Sequence, residues 1–235
     1  MKTKHRPPFH YKPLEMGFDG KLCGSAQPGG NSSTNDADII EAIIQGTSLE
    51  EAGVPDKLIS NLNFLHEHNV RVIYNLIPSP SSLTKYIWEN KFEGTTYISE
   101  INGVSTAIDN LEAPNQEQFK IITEDATTRM QNGDNILFHC AGGLGRTGTM
   151  LAAIYMKSSK NYNHEDAVNF IRREYSRDAI DSPEQIRSLS IFSRELHYEK
   201  KAPDLEALRA RYERSFTEEI VKERSAEASS PQIRK

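Results

Sequence analysis

Residues 135–150 read NILFHCAGGLGRTGTM: an apolar run closed by His139 and Cys140, then glycines at 142, 143, 145 and 148 around Arg146, then a helical pattern. A buried strand, a glycine-rich turn and a helix in that order constrain the chain to an α/β architecture. A parallel sheet covered by helices is the arrangement that buries such a strand on both faces. The turn then lies at the carboxyl end of the strand, where open α/β sheets place their ligands. An anion held there faces a row of backbone N–H groups and the positive end of the helix dipole.

The surrounding chain alternates in the way this architecture needs. Val70–Ile77 (VRVIYNLI) is β-branched and nearly all apolar, the pattern of a doubly buried strand, and Pro78 and Pro80 stop it. Thr95–Ile101 (TTYISEI) predicts a second strand, followed by a loop over 102–114 and an amphipathic helix over 115–133 that ends at Gly133. Upstream, Phe18–Gly30 predicts a short strand running into a turn, and helices are predicted over 36–46, closed by Gly46, and 54–68, with Pro55 near the first turn. Three helices follow the glycine loop, over 146–159, 164–176 and 182–200. The expected fold is α/β with a mostly parallel central sheet flanked by helices.

A length of 235 residues suits one such domain with appendages. Residues 1–13, basic and with three prolines, predict an arm; 14–200 form the expected domain. In 201–235, Leu205, Leu208, Tyr212, Phe216 and Ile220 recur at helical spacing on a charged segment, suited to packing or to a partner's groove, and the last eleven residues read as disordered. A net charge of −5 supplies no basic field for nucleic acid. With no run of 18 apolar residues and no hydrophobic stretch behind the basic N-terminus, neither a membrane span nor a secretory signal is expected. Cys23 and Cys140 are too few and too far apart for a disulfide framework, and a reducing compartment suits a free thiol. Cys23 reads as a small core residue. The chain is expected in a cytosol, its own or that of a cell it is exported into, as a monomer.

Three chemistries use a glycine loop of this kind. Gly143, Gly145 and Gly148 satisfy G-x-G-x-x-G, yet the acidic residues about 20 positions on, Glu165 and Asp166, fall in a helical pattern with no strand before them. A nucleoside-triphosphate loop needs a lysine before the hydroxyl residue, and Arg146 stands there. In the third, Cys140 and Arg146 face one bound anion, and the amides of Ala141, Gly142, Gly143, Leu144, Gly145 and Arg146 turn inward around it. Such a positive potential favours thiolate over thiol. Arg146 can grip two phosphoryl oxygens bidentately.

His139-Cys140-Ala-Gly-Gly143-Leu-Gly-Arg146-Thr147 resembles the HC-x-x-G-x-x-R-[ST] loop of the cysteine-based protein tyrosine and dual-specificity phosphatases at every fixed position. The similarity extends over roughly residues 15–197, through GKLCGSAQPG, VRVIYNLI and the helices after the loop, and is greatest to the small atypical dual-specificity phosphatases. The resemblance implies in-line attack by Cys140 on phosphorus, protonation of the leaving oxygen by an acid, and hydrolysis of the phosphocysteine by water. It assigns Thr147 to assisting the thiolate's departure and His139 to ordering the loop. Asp109, some thirty residues before the cysteine, is the implied acid. Because the following Asn-Leu-Glu-Ala-Pro departs from the family's proline-rich pattern, Glu112 is the second candidate.

Gln185 resembles the glutamine that some members use to place the hydrolytic water; equally, Ser182-Pro183 with Gln185 three positions on fits a capping box. No cofactor or metal is implied. A loop interior without lysine favours singly phosphorylated protein side chains, tyrosine and also serine or threonine. Inositol phosphates or phosphoinositides are the alternative substrates, and a phosphate-binding module without turnover is the alternative of another kind. Segments 29–56 and 79–105 lack similarity to the family.

Overall fold

The strand that ends in Cys140 lies at the centre of a five-stranded sheet. The computed structural model describes residues 5–30, 36–79 and 81–200, so the charged helix and tail expected over 201–235 lie outside the described residues. One compact unit ends at residue 193; of the second, the described residues 194–200 are helical. The sheet strands are β1 (Lys12–Leu14), β2 (Leu22–Ala26), β3 (Val70–Asn75), β4 (Thr96–Ile98) and β7 (Asn135–Cys140). Their order is β1-β2-β7-β3-β4, parallel throughout except for β1. The mostly parallel sheet of the sequence reading is therefore present.

Two helical layers cover it, and strand register sorts the side chains between them. Cys23, Leu137 and Ile73 stand side by side across β2, β7 and β3 and share one core with helices α1 (Asp36–Ile44), α2 (Asp56–Glu67) and α3 (Ser82–Lys91), through Ile43, Leu58, Leu62, Leu65, Leu83, Ile87 and Trp88. One residue further along each strand, Gly24, Phe138 and Tyr74 face the opposite layer. Helices α4 (Gln116–Gln131) and α5 (Gly145–Ser159) pack on β7 there; the Tyr74 hydroxyl donates to Asp125 of α4, and Leu151 of α5 lies over Gly24. Helix α6 (His164–Glu174) packs on α5, and a last helix begins at residue 183. Asn115 caps α4 in a reciprocal capping box with Gln118, which fixes where the chain leaves the preceding loop.

Two departures from the sequence reading lie in the segment without family similarity. The predicted strand Thr95–Ile101 is split: only β4 joins the sheet, while β5 (Glu100–Ile101) turns back on β6 (Val104–Ser105) as a small hairpin that straddles the end of the predicted strand and the region expected to be loop. Its turn is Asn102-Gly103, both with positive φ (51° and 82°), the pair such a turn requires. Helix α3 was absent from the reading. Ser81 caps it by accepting from the Thr84 N–H at 3.1 Å, and Leu83, Ile87 and Trp88 reach the core on one face.

Phe138 is wholly buried and stacks on Tyr74, with ring centroids 4.4 Å apart and planes at 8°. Phe138→Ala is expected to cost about 3–5 kcal/mol, as large aromatic truncations in a core do, measurable as a lowered urea midpoint with an unchanged slope.

Candidate active site

Strand β7 delivers Cys140 to the carboxyl edge of the sheet, beside Ala26 of β2 in register. The loop then folds back so closely on β2 that a Cβ on Gly143 would lie 2.4 Å from the Ala26 nitrogen and 2.6 Å from the Ser25 carbonyl carbon. Gly143 also has φ +79°, so only glycine satisfies both the contact and the angle. The turned backbone points the Gly143 N–H at the Cys140 Sγ, 3.2 Å away. Its carbonyl points the other way and accepts a 2.6 Å hydrogen bond from the Tyr175 hydroxyl. Burial, and after it the proximity of Cys140, raises the Tyr175 phenol well above its ordinary range, so it stays a donor. The ring reaches the loop because Gly24 leaves room: a Cβ there would meet it at 2.7 Å.

Arg146, in the first turn of α5, is 5% exposed and bonded to neutral acceptors. Its Nη1 donates to the Ile108 carbonyl at 2.8 Å and its Nη2 to the Asn110 Oδ1 at 3.4 Å. The Ile108 N–H in turn donates to the Leu76 carbonyl just past β3, which ties the 106–110 segment to the sheet. Among the described residues no carboxylate forms a salt bridge with Arg146. A buried cation bonded only to neutral oxygens has its charge available for an incoming anion. Thr147 is fully buried, and its Oγ1 has no partner among the described residues.

Cys140 and Arg146 line a pocket of about 160 Å³. Its floor is Cys140, Ala141, Gly142, Leu144, Gly145 and Arg146; one wall is Asn110 and Leu111, the other Asp181 and Gln185. Asp109 and Glu112 are exposed beside the first wall. Their loop is held from the far side by the start of the last helix. Ser182 Oγ donates to the Leu111 carbonyl at 2.9 Å, Gln185 Nε2 to the Glu112 carbonyl at 3.2 Å, and Ser188 Oγ to the Pro114 carbonyl at 2.9 Å. Gln185 thus lines the pocket and also anchors the structure, because its N–H is capped by Ser182 Oγ and its Oε1 accepts from the Asp181 N–H.

His139 stands apart from this set. It is fully buried on the face opposite the pocket residues of β7, and its Nε2 lies 3.1 Å from the Tyr97 hydroxyl. Burial pushes its pKa down to about 4, with the nearby Arg146 charge adding to the effect. Cys23 is a buried core residue beside Tyr11, its thiol pushed up to about 12 by burial. Sequence reasoning missed Tyr175, Asn110 and Asp181. Tyr175 reads from its spacing as one more helix-end aromatic, and nothing local reveals that it crosses above Gly24, 151 positions earlier, to reach the loop.

Tyr175→Phe leaves the Gly143 carbonyl without its donor, and a loss of about 1–3 kcal/mol is expected in chemical denaturation. His139 gives a pH dependence of defined sign. The unfolded imidazole, near 6.5, binds its proton more readily than the folded one near 4. Stability is therefore complete above about pH 6.5 and is lost as pH falls toward 4, by up to about 3 kcal/mol. The slope of stability against pH in that window should flatten in His139→Gln.

Residues 50–160 match the family described as Tc-R-P: Polymorphic toxin system, DSP-PTPase phosphatase. Protein 123R of Invertebrate iridescent virus 6, which carries the name of a tyrosine phosphatase, is 38% identical over 47 residues, 20% of this chain; the chain spans about a third (32%) of that relative's length. Among solved structures, kinase associated phosphatase (KAP), with its catalytic-site cysteine substituted by serine, superposes with a TM-score of 0.58 at 20% identity, over 82% of this chain and 98% of its own. Tk-PTP in its active form gives 0.52 at 21% identity, over 83% and 99%; PTPMT1 in complex with PI(5)P gives 0.52 at 15%, over 81% and 98%. At these identities the likeness is one of fold. Among the described residues no helix is long and apolar enough to cross a membrane.

Proposed function

We infer that the chain is a cysteine-dependent phosphomonoesterase acting on protein phosphotyrosine, and on phosphoserine or phosphothreonine where they reach the sulfur, a reading that the match of residues 50–160 to a DSP-PTPase family supports. The carrying observation is the Cys140 thiol at the floor of a small pocket, with the Gly143 N–H aimed at its sulfur and the buried Arg146 guanidinium beside it free of any salt bridge among the described residues. In this reading Cys140 attacks phosphorus in line, while the amides from Ala141 to Arg146 and the guanidinium hold the equatorial oxygens. The P–O bond to the leaving group breaks as the P–S bond forms.

Thr147, whose buried hydroxyl has no partner among the described residues, then donates to the returning thiolate as water releases inorganic phosphate. Asp109 serves as the acid for the leaving oxygen, with Glu112 as its rival; both are exposed and flank Asn110 and Leu111, which line the pocket. His139 acts by packing, since burial keeps its imidazole neutral near pH 7. The PTPMT1 complex with PI(5)P favours phosphoinositides as the second reading. The polymorphic-toxin description of the matched family supports action in the cytosol of a cell that receives the protein.

Purified protein is expected to hydrolyse p-nitrophenyl phosphate and phosphotyrosine peptides, and Cys140→Ser to abolish turnover while leaving the denaturation midpoint near that of the parent. With an aryl phosphate of poor leaving group, Asp109→Asn should lower kcat by about 10²-fold or more and flatten the alkaline limb of the rate profile. Parent-like activity in Cys140→Ser removes the nucleophile assignment.

A further inference from the structure

The half-reaction that frees the enzyme needs a group that takes a proton from water, and the pocket contains a carboxylate that the sequence reading passed over. Asp181 lines the pocket together with Asn110 and Leu111. Its Oδ1 lies directly over Gly145 of the loop: a Cβ on that glycine would be only 2.2 Å from the oxygen. Among the described residues no hydrogen-bond donor and no cation is paired with this carboxylate, so its oxygens are free to accept.

The backbone around Asp181 is held in place by several bonds. Its own N–H donates to Gln185 Oε1 at 3.1 Å. The preceding Ile180, buried and β-branched, has φ +61°, a conformation that such a residue adopts only when its surroundings impose it. Those surroundings are visible: Arg172 donates through Nε to the Ala179 carbonyl at 3.2 Å and through Nη2 to the Ile180 carbonyl at 2.9 Å, and Gly148 of α5 admits Ala179 and Ile180 at contacts closer than a Cβ would permit. The strained turn does not stabilise the fold by itself. What it achieves is to place one carboxylate at the mouth of the thiol pocket.

Gln185, on the same wall, has both polar atoms bonded to protein, Nε2 to the Glu112 carbonyl and Oε1 to the Asp181 N–H. Those bonds fix the orientation of the amide, and an amide is in any case no base. We propose that Asp181 is the general base of the dephosphorylation step, an assignment that rests on the phosphocysteine reading above. Water attacks the phosphorus of phosphorylated Cys140. The new O–P bond forms as the P–S bond breaks, the electron pair returns to sulfur as thiolate, and the water proton passes to the Asp181 carboxylate and then to solvent. Gln185 orients the water and Asp109 remains the acid of the first step, so the two half-reactions use different carboxylates.

The test is stopped-flow and acid-quench kinetics of the full chain with p-nitrophenyl phosphate, whose leaving group needs little protonation. Asp181→Asn is expected to keep the parent's rate of first-phase p-nitrophenolate release while steady-state turnover falls by about 10²-fold. Phosphate should then accumulate on Cys140 close to one per molecule, with Asp181→Glu restoring part of the turnover. Three results overturn the proposal: both phases slowing together in Asp181→Asn, neither phase changing in it, or accumulation appearing in Asp109→Asn instead. Cys140→Ser distinguishes the deeper failure, because persistent turnover and absent phosphoprotein in that variant refute the phosphocysteine route itself and not the choice of base.

Discussion

The bond from the Gly143 N–H to the Cys140 sulfur is the interaction around which the rest of the domain is arranged. Left to itself, a run of glycines samples many conformations, and carbonyl oxygens turn toward a cavity as readily as N–H groups do. Here the choice is removed from three directions. Strand β2 is in contact with Gly143 on one side, Tyr175 holds its carbonyl from another, and α5 begins immediately after, fixing Gly145 and Arg146. The tyrosine support depends on Gly24, which makes room for the ring, as the Ala179–Ile180 turn near the pocket depends on Gly148.

The same economy joins the walls to the floor. Arg146 contacts the Ile108 carbonyl, Ile108 is tied to the end of β3, and the loop beyond it is bonded by Ser182, Gln185 and Ser188. A substrate would therefore enter a pocket whose opposing walls are already bonded to each other. Ordering such walls in advance spares the chemical step the cost of ordering them on binding. The exposed acids Asp109 and Glu112 are carried on a loop whose main chain is held in place while their side chains remain in solvent.

Much of this was legible in the chain itself, for reasons that differ by element. Doubly buried strands announce themselves as continuous apolar runs, so β3 and β7 were found within a residue or two, as were the bounds of α2, α4 and α5 and the glycine stop of α4 at Gly133. The nucleophile, the arginine and the loop amides sit within eight residues, where local spacing carries the information. What escaped depended on distance. Helix α3 has only Leu83, Ile87 and Trp88 to mark its buried face. The β5–β6 hairpin rests on a two-residue Asn102-Gly103 signal inside what reads as one strand and its loop. Tyr175 and Asp181 gain their meaning from groups on other elements of the fold, Gly24 and Gly143 for the first, Gly145 for the second. Residue type alone could not have assigned either one.

The central claim is physical: main-chain N–H groups and one guanidinium create an anion site directly over a sulfur atom. Competition between inorganic phosphate and iodoacetate for that sulfur, followed by mass spectrometry of the Cys140 peptide, tests it most directly. The account predicts that phosphate slows alkylation of Cys140 in a saturable way and that Arg146→Ala loses the protection. Alkylation of Cys140 at one rate with and without phosphate would contradict it.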